Sequence, residues 1–171
     1  MIPNMYRNMA QLPGLLTTYA EGYQQFRAEG GFTPAEQEVV LLAISHENEC
    51  AYCIAAHSTL AAGPSRVPRD TVHAIRLGGN GTDPRLAALA AFTRVMVQER
   101  GHPSGNDLAS FLAAGYTERH VLSIVLAIGV KTISNYANHL FNTPVDAPFL
   151  DWAWTPGVPG IASGASVPSA A

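Results

Sequence analysis

The chain is poor in charge and poorer still in cysteine. Of its 171 residues only 13% are Asp, Glu, Lys or Arg, the formal net charge is -3, and there are two cysteines. The ten Lys and Arg residues are scattered, so there is no basic footprint for nucleic acid or an anionic membrane. The N-terminal stretch MIPNMYRNMAQLPGLL lacks the basic segment, apolar run and small-residue cleavage site of a secretory signal, which predicts a cytoplasmic protein. The most apolar run, VLSIVLAIGV from Val121 to Val130, falls short of the roughly 20 residues that cross a bilayer. It runs into Lys131, Asn135 and Asn138 and reads as a buried helix segment, not an anchor. No segment alternates with period two and there is no internal repeat, so β architectures and repeat arrays fall away.

What remains is an all-α, single-domain bundle of about six or seven helices, because a chain of this length with 47% hydrophobic residues fills one core. One helix spans about Gly14 to Ala28 and stops at Gly30-Gly31. The next opens with TPAE: Thr33 as N-cap, Pro34 at the first helical position and Glu36 closing a capping box, and it runs to about His46. A third carries the cysteines from near Cys50 to Ala62, before Gly63-Pro64. Shorter helices follow over about Arg69–Leu77 and Asn106–Ala114, with a longer one from TDPR to Arg100 between them. The last helix has Thr117 as N-cap and runs to about Phe141. It is apolar around much of its circumference, which places it at the centre of the core or between subunits and favours an oligomer.

The helical domain covers residues 1–150, and 151–171 form a C-terminal tail that ends in Gly, Pro, Ser and Ala. Its aromatic beginning, Phe149, Trp152 and Trp154, is expected to dock on the body. The stretch from Pro156 has little to bury and is expected to be mobile or to lie across a neighbour.

Both cysteines lie in ENECAYCIAAHS, so Cys50, Cys53 and His57 fall at i, i+3 and i+7 on one helix face. In a reducing compartment this spacing favours a redox or metal site over a permanent bridge. Two buried thiols and a helix histidine are the plain alternative. A metal would need three or four ligands around one ion, which three residues so close on one helix do not readily provide. The helix dipole favours Cys50 as the thiolate, since Cys53 lies one turn deeper, whereas His57 serves Cys53 as a base. Glu47 and Glu49 oppose ionisation if they point at the sulfur. Glu38, set in the apolar run VVLLAI, is exposed by default. If its helix and the cysteine helix form a hairpin, it meets His57 and orients the imidazole.

A glutamate, eleven residues, then Cys-x-x-Cys-x-x-x-His is the pattern of Glu38, Cys50, Cys53 and His57, and it resembles the peroxidase signature of the alkylhydroperoxidase D and carboxymuconolactone decarboxylase superfamily. The flanking LLAISHENECAYCIAAHS and NYANHLFNTPVD are similar to its peroxidase-related branch, so the likeness covers about Thr33 to Pro148. The resemblance implies an alkylhydroperoxidase D-like helical fold, homotrimers or homohexamers, and dithiol-dependent reduction of hydroperoxides. It also implies Cys53 as the attacking thiolate, Cys50 as a more exposed resolving cysteine, and Glu38 with His57 as a proton relay. The reductant would be a lipoyl-bearing or thioredoxin-like protein or a small dithiol, with no metal and no further cofactor. Tyr52 stands where alkylhydroperoxidase D has a histidine between its cysteines, and the motif comes early rather than late in the chain. Two contrasting readings are a carboxymuconolactone decarboxylase-like lyase, which does not need the cysteine pair, and a non-enzymatic redox-sensing or partner-docking oligomer. His46 near the site, and Asn135 and His139 in the last helix, are further candidates for lining a pocket.

Overall fold

The computed structural model describes residues 2–157. Among them the chain forms α1 (Asn4–Met9), α2 (Pro13–Glu29), α3 (Pro34–Glu47), α4 (Ala51–Ala62), α5 (Arg69–Arg76), α6 (Pro84–Gln98), α7 (Gly105–Ala113) and α8 (Glu118–Leu140), and closes with a 3-10 helix over Ala147–Trp152. The described residues contain no strand. The seven helices expected from sequence correspond to α2 through α8; α1 and the 3-10 helix are additional. Neither has a local signal of its own. The backbone N–H of Asn4 donates to the Asp146 carboxylate at 3.2 and 3.3 Å, so α1 is anchored by a residue 142 positions away.

α3 is the axis of the bundle. Every residue from Glu36 to Ser45 is buried, and α4, α5, α6 and α8 pack around it. A helix that is apolar on all sides has to be enclosed by others. Its start is set locally by the predicted capping box: Thr33 Oγ1 accepts from the Glu36 N–H at 3.3 Å, and Glu36 Oε2 accepts from the Thr33 N–H at 2.9 Å. The turn to α4 is tight, with Glu49 in the left-handed region (φ 52°) and the Cys50 N–H bonded to the Ser45 carbonyl at 2.9 Å. The two helices thereby fold back on each other as a hairpin.

α8 differs from the expected buried segment. Its inner face, which includes Ile124, Ala127, Val130, Lys131, Ser134, Asn135 and Asn138, is buried. On the outer face Leu122 is 70% exposed, Val125 50% and Leu140 81%. At 23 residues and a mean hydropathy of 1.3, α8 is long and apolar enough to cross a membrane by length and composition, yet 44% of that window is buried inside the bundle. The aromatic beginning of the tail is docked: Arg76 donates to the carbonyls of Trp152 and Ala153 at 2.9 and 3.0 Å, and Trp154 Nε1 donates to the Arg76 carbonyl at 3.1 Å. The expected mobility from Pro156 concerns residues that lie, from 158 onward, outside the described ones.

At the far end of the bundle Phe111 is stacked between Phe92 and Tyr116, with ring centroids 4.2 and 4.6 Å away. Phe111→Ala should lower unfolding stability by about 3–5 kcal/mol in urea titrations while leaving the ionisation of the cysteines unchanged. A loss under about 1 kcal/mol would show that this stack is not part of the core that supports α3.

Candidate active site

The α3–α4 hairpin brings Glu38, two turns before the end of α3, against His57, two turns into α4. Glu38 is buried to 1% exposure, against the default expectation of an exposed residue, because α3 has no solvent face at this point. Its Oε2 lies 2.9 Å from His57 Nδ1 and its Oε1 2.5 Å from Arg27 Nη2 of α2. Arg27 also donates to the Tyr23 hydroxyl and sits over that ring, 4.8 Å from its centroid. Burial pushes the Glu38 carboxyl up, but hydrogen bonds and positive charge from His57 and Arg27 outweigh it and hold the group below the ordinary range. Burial and the nearby Lys131 charge depress His57, so it is the neutral imidazole. With a carboxylate at Nδ1 the proton sits on that nitrogen, and Nε2 is left as a free acceptor.

The helix that carries the cysteines begins one residue later than expected. Cys50 is its N-cap and Cys53 lies in its first turn. As N-cap, Cys50 keeps the helix-terminus stabilisation, with the Cys53 backbone N–H favouring its thiolate, but this is smaller than the opposing effects of Cys53 and burial. Hydrogen bonding with Cys53 and burial push Cys50 up, whereas hydrogen bonding with Cys50 and the Lys131 and His57 charges hold Cys53 well below its usual value although burial opposes them, which favours the thiolate at Cys53. The expectation of a more exposed Cys50 is corrected by burial: Cys50 is 1% and Cys53 2% exposed, because Asn138 and the α8 wall close over both. Asn138 Nδ2 lies 3.3 Å from Cys53 Sγ and 3.9 Å from Cys50 Sγ.

Cys53, His57 and Lys131 share the lining of a cavity of about 100 Å³. Its apolar walls include Met5, Tyr19, Leu60 and Phe149, and Cys50 is not among its lining residues. Tyr52, at the position between the cysteines, points its hydroxyl away to Asp146 at 2.5 Å. Burial and that carboxylate raise the Tyr52 phenol far above its ordinary value, so it is a fixed donor and does not relay protons. Asp146 thus ties Tyr52 and α1 together above the sulfurs.

Three residues that sequence reasoning did not assign to the site come from afar: Lys131 and Asn138 on α8, and Arg27 on α2. Their i, i+7 spacing places Lys131 and Asn138 on one face of α8, a signal present in the sequence but indistinguishable there from a helix-breaking polar patch. Of the further candidates, Asn135 is buried and its Oδ1 accepts from Asn48 Nδ2 at 2.9 Å, whereas His139 lies with Tyr136 and Glu49 on a separate open surface cleft. His46 lies in the last turn of α3, its Nδ1 3.3 Å from Glu47 Oε1, and packs on Trp154. Among the described residues no group of three or more His, Cys, Asp or Glu side chains is placed to hold a metal ion.

Residues 13–94 match the model of the carboxymuconolactone decarboxylase family. No curated protein sequence matches the chain. Among solved structures it is similar to an uncharacterized peroxidase-related protein from Ralstonia eutropha JMP134, described as an alkylhydroperoxidase AhpD core, with a TM-score of 0.76 at 19% identity over 87% of this chain and 80% of that one. A peroxidase-related protein from Silicibacter sp. TM1040 matches with a TM-score of 0.74 at 18% identity over 87% and 79%. The debrominase Bmp8, solved with 2,3,4-tribromopyrrole, matches with 0.70 at 18% over 86% and 79%. Just under half of the chain thus matches the carboxymuconolactone decarboxylase family model, and its fold is that of the alkylhydroperoxidase D-like structures. On that fold it carries a Cys-x-x-Cys pair buried at the start of α4.

The direction of two shifts sets a pH dependence. His57 is depressed, so below about pH 6.5 the unfolded chain binds a proton that the folded chain refuses, and stability is lost as pH falls. Glu38 is also depressed, which adds a second loss below about pH 4. Urea midpoints should therefore fall between about pH 7 and pH 5 in the wild type and fall less in His57→Gln. Equal slopes in the two proteins would mean that His57 is not held neutral.

Proposed function

We propose that the protein is a thiol-dependent hydroperoxide reductase. The observation that carries this reading is geometric: Cys53 lines a small cavity together with His57, whose Nδ1 is 2.9 Å from Glu38, and Cys50 is buried three residues before it with Asn138 Nδ2 reaching both sulfurs. The Cys53 thiolate attacks the terminal oxygen of the peroxide. A sulfur–oxygen bond forms, the O–O bond breaks, and the leaving oxygen takes a proton to become an alcohol. Cys50 then condenses with the Cys53 sulfenic acid, releasing water and closing a disulfide. His57, backed by Glu38, moves the proton of that second step. An external dithiol, lipoyl-bearing, thioredoxin-like or small, reopens the disulfide and is itself oxidised.

A cavity of about 100 Å³ holds a hydroperoxide with a short alkyl group and is well under the usual range for drug-sized ligands. The test is dithiol-dependent consumption of tert-butyl hydroperoxide, with the disulfide followed by mass spectrometry. Cys53→Ser should abolish consumption, and Cys50→Ser should stop after one oxidation per subunit. Equal residual turnover in the two variants would overturn the roles. A disulfide that forms without turnover would favour redox sensing, and no disulfide at all would favour a decarboxylase-like lyase.

We also propose that the protein is a cytoplasmic homotrimer or homohexamer assembled through α8. Leu122, Val125 and Leu126 fall on one exposed face, beside an open groove of about 490 Å³ between α2 and α8. A monomer seldom leaves such a stripe uncovered. Leu122→Glu with Leu126→Glu should yield monomers by light scattering; an unchanged mass, or a wild type that is already monomeric, rejects this interface.

A further inference from the structure

Peroxide cleavage at Cys53 needs a proton for the departing oxygen, and the groups around the sulfur differ in whether they have one to give. His57 is neutral, its single ring proton is engaged by Glu38, and the nitrogen left over is an acceptor. The Tyr52 proton is engaged by Asp146. Burial makes Tyr19 and Tyr23 weaker acids than a free phenol. Cys50 has a proton, but it is directed at Cys53 itself. Lys131 remains. It is 1% exposed, lines the same cavity as Cys53 and His57, has no nitrogen or oxygen partner for its Nζ among the described residues, and acts by charge and hydrogen bonding on the Cys53 sulfur.

The buried charges make the same point. Arg27 and Glu38 neutralise each other at 2.5 Å. This leaves one buried ammonium at the cavity and one buried sulfur facing it, and a buried ammonium without a counter-charge is strongly disfavoured. Asn138, seven residues further on the same face of α8, directs its amide at Cys53 Sγ from 3.3 Å, so this helix presents a cation and a hydrogen-bond donor to one atom.

We infer that Lys131 is the counter-ion of the Cys53 thiolate and the acid that protonates the leaving oxygen of the peroxide. This inference rests on the reading of Cys53 as the attacking sulfur. In the step, the thiolate forms the S–O bond, the O–O bond breaks, and the alkoxide takes a proton from the Lys131 ammonium. Thiolate, hydroperoxide and ammonium become sulfenic acid, alcohol and amine, with atoms and charge conserved. Once the thiolate charge has been consumed, the ammonium stands uncompensated among Met5, Leu60 and Phe149, and giving up a proton relieves it. Lys131 recovers the proton from solvent before the next turnover.

The charged and titratable groups facing Cys53 are Cys50, Tyr52 and His57 from the α4 segment, Tyr19 from α2 and Lys131 from α8. Only Lys131 combines a positive charge with protons that are not committed. The diagnostic substrate is a peracid, whose carboxylate leaving group needs no proton. Sulfenate formation is followed in single turnovers with tert-butyl hydroperoxide and with peracetic acid, at a pH where Cys53 is ionised in each protein. Lys131→Met should raise the titration of Cys53 by about one pH unit or more. It should slow the alkyl hydroperoxide about 10²-fold or more relative to the peracid. Lys131→Arg should restore the low titration, because the charge is back, but not the alkyl hydroperoxide rate, because guanidinium does not release its proton.

Equal slowing on both substrates in Lys131→Met, or full recovery of both in Lys131→Arg, overturns the acid role. An unmoved Cys53 titration in Lys131→Met overturns the counter-ion role. Should the variants not fold, the wild type still decides: its rate ratio of peracid to alkyl hydroperoxide should be smaller than that of a free thiolate in water, and an equal ratio rejects proton donation. If wild-type Cys53 forms no sulfenate with either substrate, the peroxidase reading itself fails, an outcome distinct from all of these.

Discussion

A carboxylate in the middle of a helix that has no solvent face is the constraint around which this molecule is arranged. Glu38 needs partners, and the chain supplies two, Arg27 from α2 and His57 from α4. Meeting both fixes how three helices lie against one another, and it fixes the histidine proton on the nitrogen that faces the carboxylate. The free nitrogen then belongs to the cavity. The Cys53 sulfur and Lys131, the pair inferred to carry opposite charges, line the same cavity as that histidine.

The helices and the Glu38–His57 contact were legible because each depends on short-range rules. Capping at Thr33 and Thr117, glycine stops and the i, i+3, i+7 register all act within a dozen residues. A tight turn at Glu49 converted that register into a hairpin. The features that were not legible depend on residues far apart in sequence. α1 has no pattern of its own and is held by Asp146, and the place of Lys131 and Asn138 beside the sulfurs follows from how α8 packs on α4. The helix dipole alone favours Cys50, the N-cap, whereas the mutual effect of the two sulfurs, together with the Lys131 and His57 charges, favours the thiolate at Cys53; those neighbours on other turns and on α8 could not be weighed from the register of α4. Exposure failed as a guide to Cys50 because burial by α8 cannot be read from α4.

α8 serves two surroundings at once. Its inner face includes serine, lysine and two asparagines among apolar residues, and its outer face leucine and valine, the reverse of the usual amphipathic order for a helix on a bundle. The inversion explains why periodicity suggested a helix buried all round. The polar residues are inside because the sulfurs and Asn48 need them, and the apolar residues are outside, where water is a poor neighbour.

The roof of the cavity is made from the two ends of the described chain. Pro3, Met5 and Tyr6 come from one end and Phe149 from the other, joined through Asp146. All of these lie outside residues 13–94, the segment that matches the family model, whereas Glu38, both cysteines and His57 lie inside it. The thiols, Glu38 and His57 are thus encoded apart from the ceiling, while Lys131 and Asn138 on α8 lie, like the ceiling, outside the matched segment. Terminal segments tolerate insertion, deletion and replacement better than a packed helix does. A lineage with this architecture can exchange its ceiling, and with it the size and shape of molecule admitted, while the sulfur machinery beneath is inherited unchanged.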